Sequence, residues 1–472
     1  MNTYGELLLR QFAEHWQDLA ISTVDGESIR YGDLWCTACA VAESWQAEGL
    51  QPGDIIAFKL PNSYRIPCLY LACAIGGFVA CPIVPTLSEK TAAENLETVK
   101  PKRVITQVDF PLVTAGDKPA CHELDSHQPF LIMFSSGSTD RSKAICHSLD
   151  NVCGSAAAFS RLSGFDETTR LYHVLPMTYM AGFLNSMLAV LVCGGRIIEG
   201  PQFSMENVAD FWRYPLQSEA NVLSLIPPLA ATLCRLTRNP ETLAKVPEQF
   251  TQVQCTSQAI QADLRARFMK KFSLPLQDCY GMTELGGPMS LQSRDDATQQ
   301  NEFSTMIEGP EVQIRSNEDG GSELWIRSPF AMLGYLKDGE LEDIRDAGGF
   351  IDTGDLADYR PEPDGERIRI TGRVKDIIIR GGINISPGRI ESVMSQAPGV
   401  EEVAVVGLPH AYWGEQIIAC VVGGTGESEL LNYCRESLDG HEVPDRIEFM
   451  EAFPRSFIGK VLKNDLRDKL TA

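Results

Sequence analysis

Residues 130–143 read FLIMFSSGSTDRSK: an apolar run that breaks into a loop of small hydroxylated residues and closes on Lys143. Five consecutive apolar residues stopped by Ser and Gly have the length and ending of a buried strand. A strand running straight into such a loop gathers backbone N–H groups around one point, and Gly137 lets the chain come close to whatever sits there. The hydroxyls of Ser135, Ser136, Ser138 and Thr139 add donors and Lys143 adds a positive charge, a set suited to phosphate oxygens. The spacing GxxxxGK[ST] of a Walker loop is missing. From these residues alone, a Ser-rich turn after a strand reads equally well.

Outward from this stretch, short apolar runs (IIAFKL, KRVIT, RLYHVL, NVLSLI) alternate with helical patterns such as NVCGSAAAFSRL and ADLRARFMKKF. That alternation predicts an α/β fold of largely parallel sheets flanked by helices. Near Ser322 the pattern shifts to short strands, ELWIRS, RIRITGR and KDIIIRGG, separated by Gly, Pro and Asp turns. Beyond them lies a compact unit of α+β pattern. It has a helix at 387–395, strands VEEVAVVGLP and QIIACVV, a helix at 429–438 and a basic tail. A chain of 472 residues exceeds one ordinary core. The expected division is a large N-terminal domain, 1–372, and a small mobile C-terminal domain, 373–472, with PEPDGER (361–367) as a turn that suits a hinge.

Composition narrows the function classes. A formal net charge of -22 repels phosphate backbones and anionic lipid, so nucleic acid and membrane surfaces are poor partners. Residues 66–87 carry no charge and are long enough to span a bilayer, but Pro67, Gly76, Gly77, Pro82 and Pro85 divide them into a short helix, a turn and a short strand. Residues 1–19 form an amphipathic surface helix with Glu6, Arg10, Glu14 and Asp18, unlike a secretory leader. The fourteen cysteines are scattered, as expected of reduced thiols in a cytoplasmic protein. Cys36 and Cys39 make a CxxC, yet no second pair or histidine accompanies them, so two half-buried small residues are expected and not a zinc or redox site.

Four further clusters follow in order: CYGMTE (279–284), IDTGD (351–355), GRVKD (372–376) with IIIRGGINISPGRIE after it, and PRSFIGK (454–460). Together with the Ser-rich loop they resemble the adenylate-forming superfamily of acyl- and aryl-CoA ligases, peptide adenylation domains and firefly luciferase. The likeness runs over essentially the whole chain, down to smaller echoes in Leu60-Pro61-Asn62-Ser63 and Gly334-Tyr335. Departures stand out: Asp140 and Ser142 replace a Gly and a Pro of the loop, Ile379 replaces a lysine, and Arg389 stands where an acid is common.

The resemblance implies an ATP-dependent enzyme that activates a carboxylic acid as acyl-AMP and passes the acyl group to a thiol. It assigns Ser135, Ser136, Gly137, Ser138, Thr139 and Lys143 to the phosphates and Tyr280 to adenine. Gly281 lies against the adenylate, Thr283 faces the α-phosphate and Glu284 holds Mg²⁺. Asp355 and Arg373 take the ribose, Lys375 is the hinge, and Lys460 bridges the carboxylate and α-phosphate. Gly381 and Gly382 would approach a pantetheine thiol.

In the acid pocket Tyr179 takes the position of a histidine in LPMTYMAGFLN (175–185), and Ser257 lies in a turn where Thr256 and Gln258 are bulky. No Asp occurs from 171 to 193 to pair an α-ammonium, which disfavours an amino-acid substrate. The expected acceptor is coenzyme A. The alternatives are the phosphopantetheine of an acyl carrier protein and, because Asp140 puts a carboxylate beside a triphosphate, a non-catalytic nucleotide- or acyl-binding relative. No sequence feature supports a luciferase-like oxygenation.

Overall fold

A computed structural model of the chain describes residues 3–108, 110–116, 124–135, 142–201, 208–299, 302–316, 321–363, 365–456 and 459–471. Its strands form three sheets, of thirteen, seven and five strands. In the largest, Leu19–Thr23, Arg196–Glu199, Arg170–His173, Val222–Leu225, Gln252–Cys255 and Gln277–Met282 run parallel side by side. Val222–Leu225 and Gln252–Cys255, in the middle of this run, are buried along nearly their whole length, as strands covered on both faces are. From Gly287–Leu291 onward the sheet continues antiparallel through Ser304–Met306, Gly365–Arg373, Ile351–Glu362, Ser322–Arg327 and Glu311–Ser316. The seven-stranded sheet is also mixed: Ile55–Phe58, Val79–Pro82 and Pro129–Ser135 are parallel, and Lys143–Ser148 returns antiparallel. Both large sheets are therefore mixed, with parallel strands continued by antiparallel ones.

A layer of helices is packed between the two large sheets. Leu149–Ser163 is its centre. Ser148 caps it by accepting from the Asn151 N–H, and Gly164 at φ 67 ends it. Its run of small residues is buried almost all round, which lets both sheets approach. Further helices cover the outer face of the largest sheet, among them Pro227–Leu236 and Ala262–Phe272.

The smaller C-terminal unit is built on the five-stranded sheet. Along Val400–His410, Val403 and Val405 face the helices Pro387–Met394 and Glu427–Ser437, while Ala404, Val406 and Leu408 face Lys463–Thr471. This period of two lets one strand supply both cores.

Two expectations are corrected. PEPDGER lies at the tip of the hairpin formed by Ile351–Glu362 and Gly365–Arg373, so it joins two strands of one sheet and links no units. Its Pro, Asp and Gly mark a turn, and a turn signal does not distinguish a hairpin from a linker. In KDIIIRGG, Val374–Asp376 is a 3₁₀ turn and only Ile378–Arg380 is strand. The uncharged stretch divides as expected, into helix Arg65–Gly76, a left-handed turn at Gly77 (φ 69) and strand Val79–Pro82. No helix among the described residues is long and apolar enough to cross a membrane.

Candidate active site

The parallel strands end together at their carboxyl edge, where loops of open α/β sheets commonly meet ligands. Leaving Arg170–His173, the chain passes through Leu175 and Met177, whose backbone is braced by Asn62. Its Nδ2 donates to the Leu175 carbonyl at 2.7 Å and its Oδ1 accepts from the Met177 N–H at 2.8 Å. The Tyr70 hydroxyl donates to the Met177 carbonyl at 3.0 Å. The next turn is the π-helix Ala181–Leu188, and a Cβ at Gly182 would fall 1.9 Å from the Pro176 carbonyl oxygen. Tyr179, in the turn before this helix, donates its N–H to the same Pro176 carbonyl at 3.1 Å. Burial pushes its phenol up to about 12, and a hydrogen bond with Ser257 opposes that rise. Ser257 is held at φ 79, in the left-handed region that favours glycine.

Leaving Gln277–Met282, the chain turns through the 3₁₀ segment Thr283–Leu285, which ends at Gly286 with φ 94. A side chain at Gly281 is excluded by the Gly287 carbonyl oxygen, 2.4 Å from an added Cβ. The Met332 N–H donates to the Glu284 carbonyl at 2.9 Å, and the Tyr335 hydroxyl donates to Glu284 Oε1 at 2.9 Å. Lys143 Nζ in turn donates to the Tyr335 oxygen at 3.4 Å. Ser135 pairs with Lys143 across the hairpin that carries the Ser-rich loop. Ser136, Gly137, Ser138, Thr139 and Asp140 lie outside the described residues.

Asp355 is the centre of a second group and is 2% exposed. Thr353 sets its backbone: the Thr353 hydroxyl donates to the Leu324 carbonyl at 2.7 Å and accepts from the Asp355 N–H at 3.1 Å. One carboxylate oxygen accepts from the Tyr280 hydroxyl at 2.8 Å, and the other meets Arg373 Nε at 2.8 Å. Burial raises the carboxyl's pKa, while first Arg373 and then Tyr280 draw it down.

Lys460 reaches this group from the C-terminal unit. Its loop is tied to itself: the Ser456 N–H donates to the Lys460 carbonyl at 2.8 Å, the Lys460 N–H donates to Ser456 Oγ at 3.2 Å, and Arg455 donates to the Gly459 carbonyl at 2.8 Å. A Cβ at Gly459 would lie 3.1 Å from Pro228 and 3.5 Å from Ile226 of the large unit. Burial lowers the Lys460 ammonium to about 8, with Arg373 and Lys375 adding repulsion and Asp355 and Asp376 opposing. Lys375 is lowered by burial and then by Arg373. Lys460, Lys375 and Arg373 thus share this interior with Asp355, Asp376 and Glu284, and burial of the two lysines favours any ligand whose negative charge would hold their protons.

The residues picked from sequence and described here thus fall into neighbouring groups: Tyr179 with Ser257, Thr283 and Glu284 near Lys143, and Tyr280, Asp355 and Arg373 with Lys375 and Lys460. Gly381 and Gly382 are at the tip of the hairpin Ile378–Arg380 and Ile383–Ile385, where the Gly381 N–H donates to the Trp413 carbonyl at 2.7 Å. Sequence reasoning gave no role to Tyr335, Asn62 or Thr353. Tyr335 and Asn62 act through contacts many residues away in the chain, which no local spacing signals, and Thr353 braces Asp355 two residues on while donating to the distant Leu324 carbonyl.

The family model for AMP-binding enzymes matches residues 9–336, and the model for the C-terminal domain of AMP-binding enzymes matches 389–460. The chain belongs to the AMP-binding enzyme family. Among curated members it is similar to the long-chain-fatty-acid–CoA ligase FadD13 of Mycobacterium tuberculosis, with 28% identity over 94% of this chain and 93% of that one. It is also similar to a sulfoacetate–CoA ligase of Cupriavidus necator, with 26% identity over 95% and 94%. Among solved AMP-binding enzymes, ATP-bound MatB from Rhodopseudomonas palustris superposes with a TM-score of 0.85 at 25% identity, covering 99% of both chains.

Proposed function

We propose that this AMP-binding enzyme is an ATP-dependent acid–thiol ligase that converts a non-amino-acid carboxylic acid, acyl or aryl, to its coenzyme A thioester. The observation that carries the reading is the bonded Asp355–Tyr280–Arg373 group of one unit, with Lys460 of the other near enough for the charges of Asp355 and Arg373 to act on it. A carboxylate oxygen of the acid attacks the α-phosphorus of ATP, and the bond to pyrophosphate breaks. The thiol sulfur then attacks the acyl carbon of the mixed anhydride, releasing AMP and the thiol proton.

In this reading Lys460 faces the acid carboxylate and the α-phosphate and offsets the negative charge that builds between them. Thr283 donates to the α-phosphate. Asp355 accepts from the ribose hydroxyls, Arg373 donates to the same sugar, and Tyr280 flanks the adenine, with Gly281 beside the adenylate. The 135–139 loop and Lys143 hold the outer phosphates. Tyr179 and Ser257 wall the acid pocket.

Glu284 fits a magnesium ion: it is a hard oxygen donor, 7% exposed, beside the strand that carries Lys143. When bound with ATP, the ion would supply charge neutralisation at the phosphates. The domains are read as 1–372 and 373–472, turning about Lys375 so that Gly381 and Gly382 reach the incoming thiol. Coenzyme A is the preferred acceptor over a carrier protein, in keeping with the relatives' names. A cytoplasmic setting accords with the thirteen described cysteines, none of which is joined in a disulfide.

The test is ATP–pyrophosphate exchange over a panel of acids, with mass spectrometry of the adenylates formed. Exchange with at least one acid, followed by thioester on adding coenzyme A, is expected. Tight ATP binding with no exchange for any acid would leave only a nucleotide-binding protein.

A further inference from the structure

Tyr335 lies on the strand Gly334–Lys337, which pairs antiparallel with Lys143–Ser148 so that Tyr335 stands opposite Ile145. Paired residues share a face, and so do residues two apart on one strand, so Tyr335 and Lys143 lie on the same side of the sheet. The phenol is therefore delivered between two charges. Its O–H donates to Glu284 Oε1 at 2.9 Å, its oxygen accepts from Lys143 Nζ at 3.4 Å, and the ammonium stands 4.7 Å from the ring centroid.

We propose that Tyr335 is a positioning residue that spaces Lys143 from Glu284, holding the carboxylate ready for the divalent cation that accompanies ATP. The proposal rests on the ligase reading of the site. Without the hydroxyl, opposite charges on neighbouring elements lose the group that separates them. The lysine ammonium can then close on the carboxylate and compete with the cation for it. With the hydroxyl, Oε1 is engaged by a neutral donor and the carboxylate presents Oε2. Lys143 is meanwhile held over the ring.

The measurement is the ratio of ATP dissociation constants without and with Mg²⁺, by calorimetry, which reads the cation's contribution without turnover. Partners that orient a metal ligand commonly change metal affinity about 10–100-fold. Tyr335→Phe is expected to shrink the ratio about tenfold with little change in the Mg²⁺-free constant. Adding Lys143→Met to Tyr335→Phe is expected to recover part of the ratio, which a merely structural tyrosine would not allow. Tyr335→Gln, which keeps a donor, tests the same point if the phenylalanine variant melts early. An unchanged ratio in Tyr335→Phe, or no recovery in the double variant, overturns the role of Tyr335 while leaving the ligase reading intact. A wild-type protein that binds no ATP overturns the ligase reading itself.

Discussion

Asp355 and Arg373 are partners in register on two adjacent strands, and Arg373 Nε meets the Asp355 carboxylate at 2.8 Å. The hairpin therefore prefabricates an acceptor beside a donor before any nucleotide arrives. Asp355→Asn keeps the shape and loses the charge. It should weaken ATP binding about 10- to 100-fold in pyrophosphate exchange. It should also cost about 1–3 kcal/mol of stability by urea titration, less than a fully buried pair because Arg373 is 41% exposed.

Lys460 gives a pH signature. Burial and neighbouring cations hold it down to about 8, so the free enzyme loses this charge as pH rises through 8. kcat/KM for exchange should fall above that point, and Lys460→Arg should move the fall upward while lowering the maximum. Stability carries the opposite sign. A lysine whose pKa is depressed by folding destabilises the fold most below its folded pKa, and the cost fades between 8 and the ordinary lysine range. Lys460→Met should therefore melt higher than wild type at pH 7, with the difference shrinking by pH 10.

ATP brings negative charge to the same place and should restore the proton. Calorimetric ATP titrations near pH 8 in buffers of different ionisation enthalpy should show net proton uptake, and Lys460→Met should abolish it. Uptake unchanged in that variant would move the titrating group elsewhere.

The hydroxyl of Ser257 and its backbone pull in opposite directions. Ser257→Ala keeps the left-handed strain and loses the hydrogen bond to Tyr179, so it should destabilise by about 1 kcal/mol. Ser257→Gly loses the bond but relieves strain worth about 1–2 kcal/mol, so it should be near neutral. Both should raise KM for the acid and leave KM for ATP within about twofold, measured by exchange at varied acid.

The crossing between units should separate the half-reactions. Lys375 sits in the 3₁₀ turn Val374–Asp376, and Lys375→Pro restricts the backbone there. It should block thioester formation from supplied acyl-AMP while exchange continues. Lys460→Ala should do the reverse, and loss of the same step in both would argue against a swinging unit.

Much of this molecule was legible in its sequence. Residues 262–272, ADLRARFMKKF, carry a helical pattern, and the helix occupies Ala262–Phe272. The glycines and prolines within 66–87 mark the breaks the chain makes. What escaped reading is what depends on register between distant strands. That Tyr280 would find Asp355 is decided by the order of strands in the largest sheet, and that Tyr335 would stand between Lys143 and Glu284 by pairing across 192 residues. PEPDGER misled for a related reason: its residues specify a bend, and only the partner strand shows what the bend joins.

The loop that carries Lys460 is stitched through Arg455, Ser456 and Gly459 to itself, while the seam to the large unit includes one Gln261 side-chain bond to the Val403 carbonyl at 3.2 Å and an apolar touch at Pro228. A lever built this way can detach with its tip still shaped. In the proposed swing, re-engagement would then need no refolding of the tip.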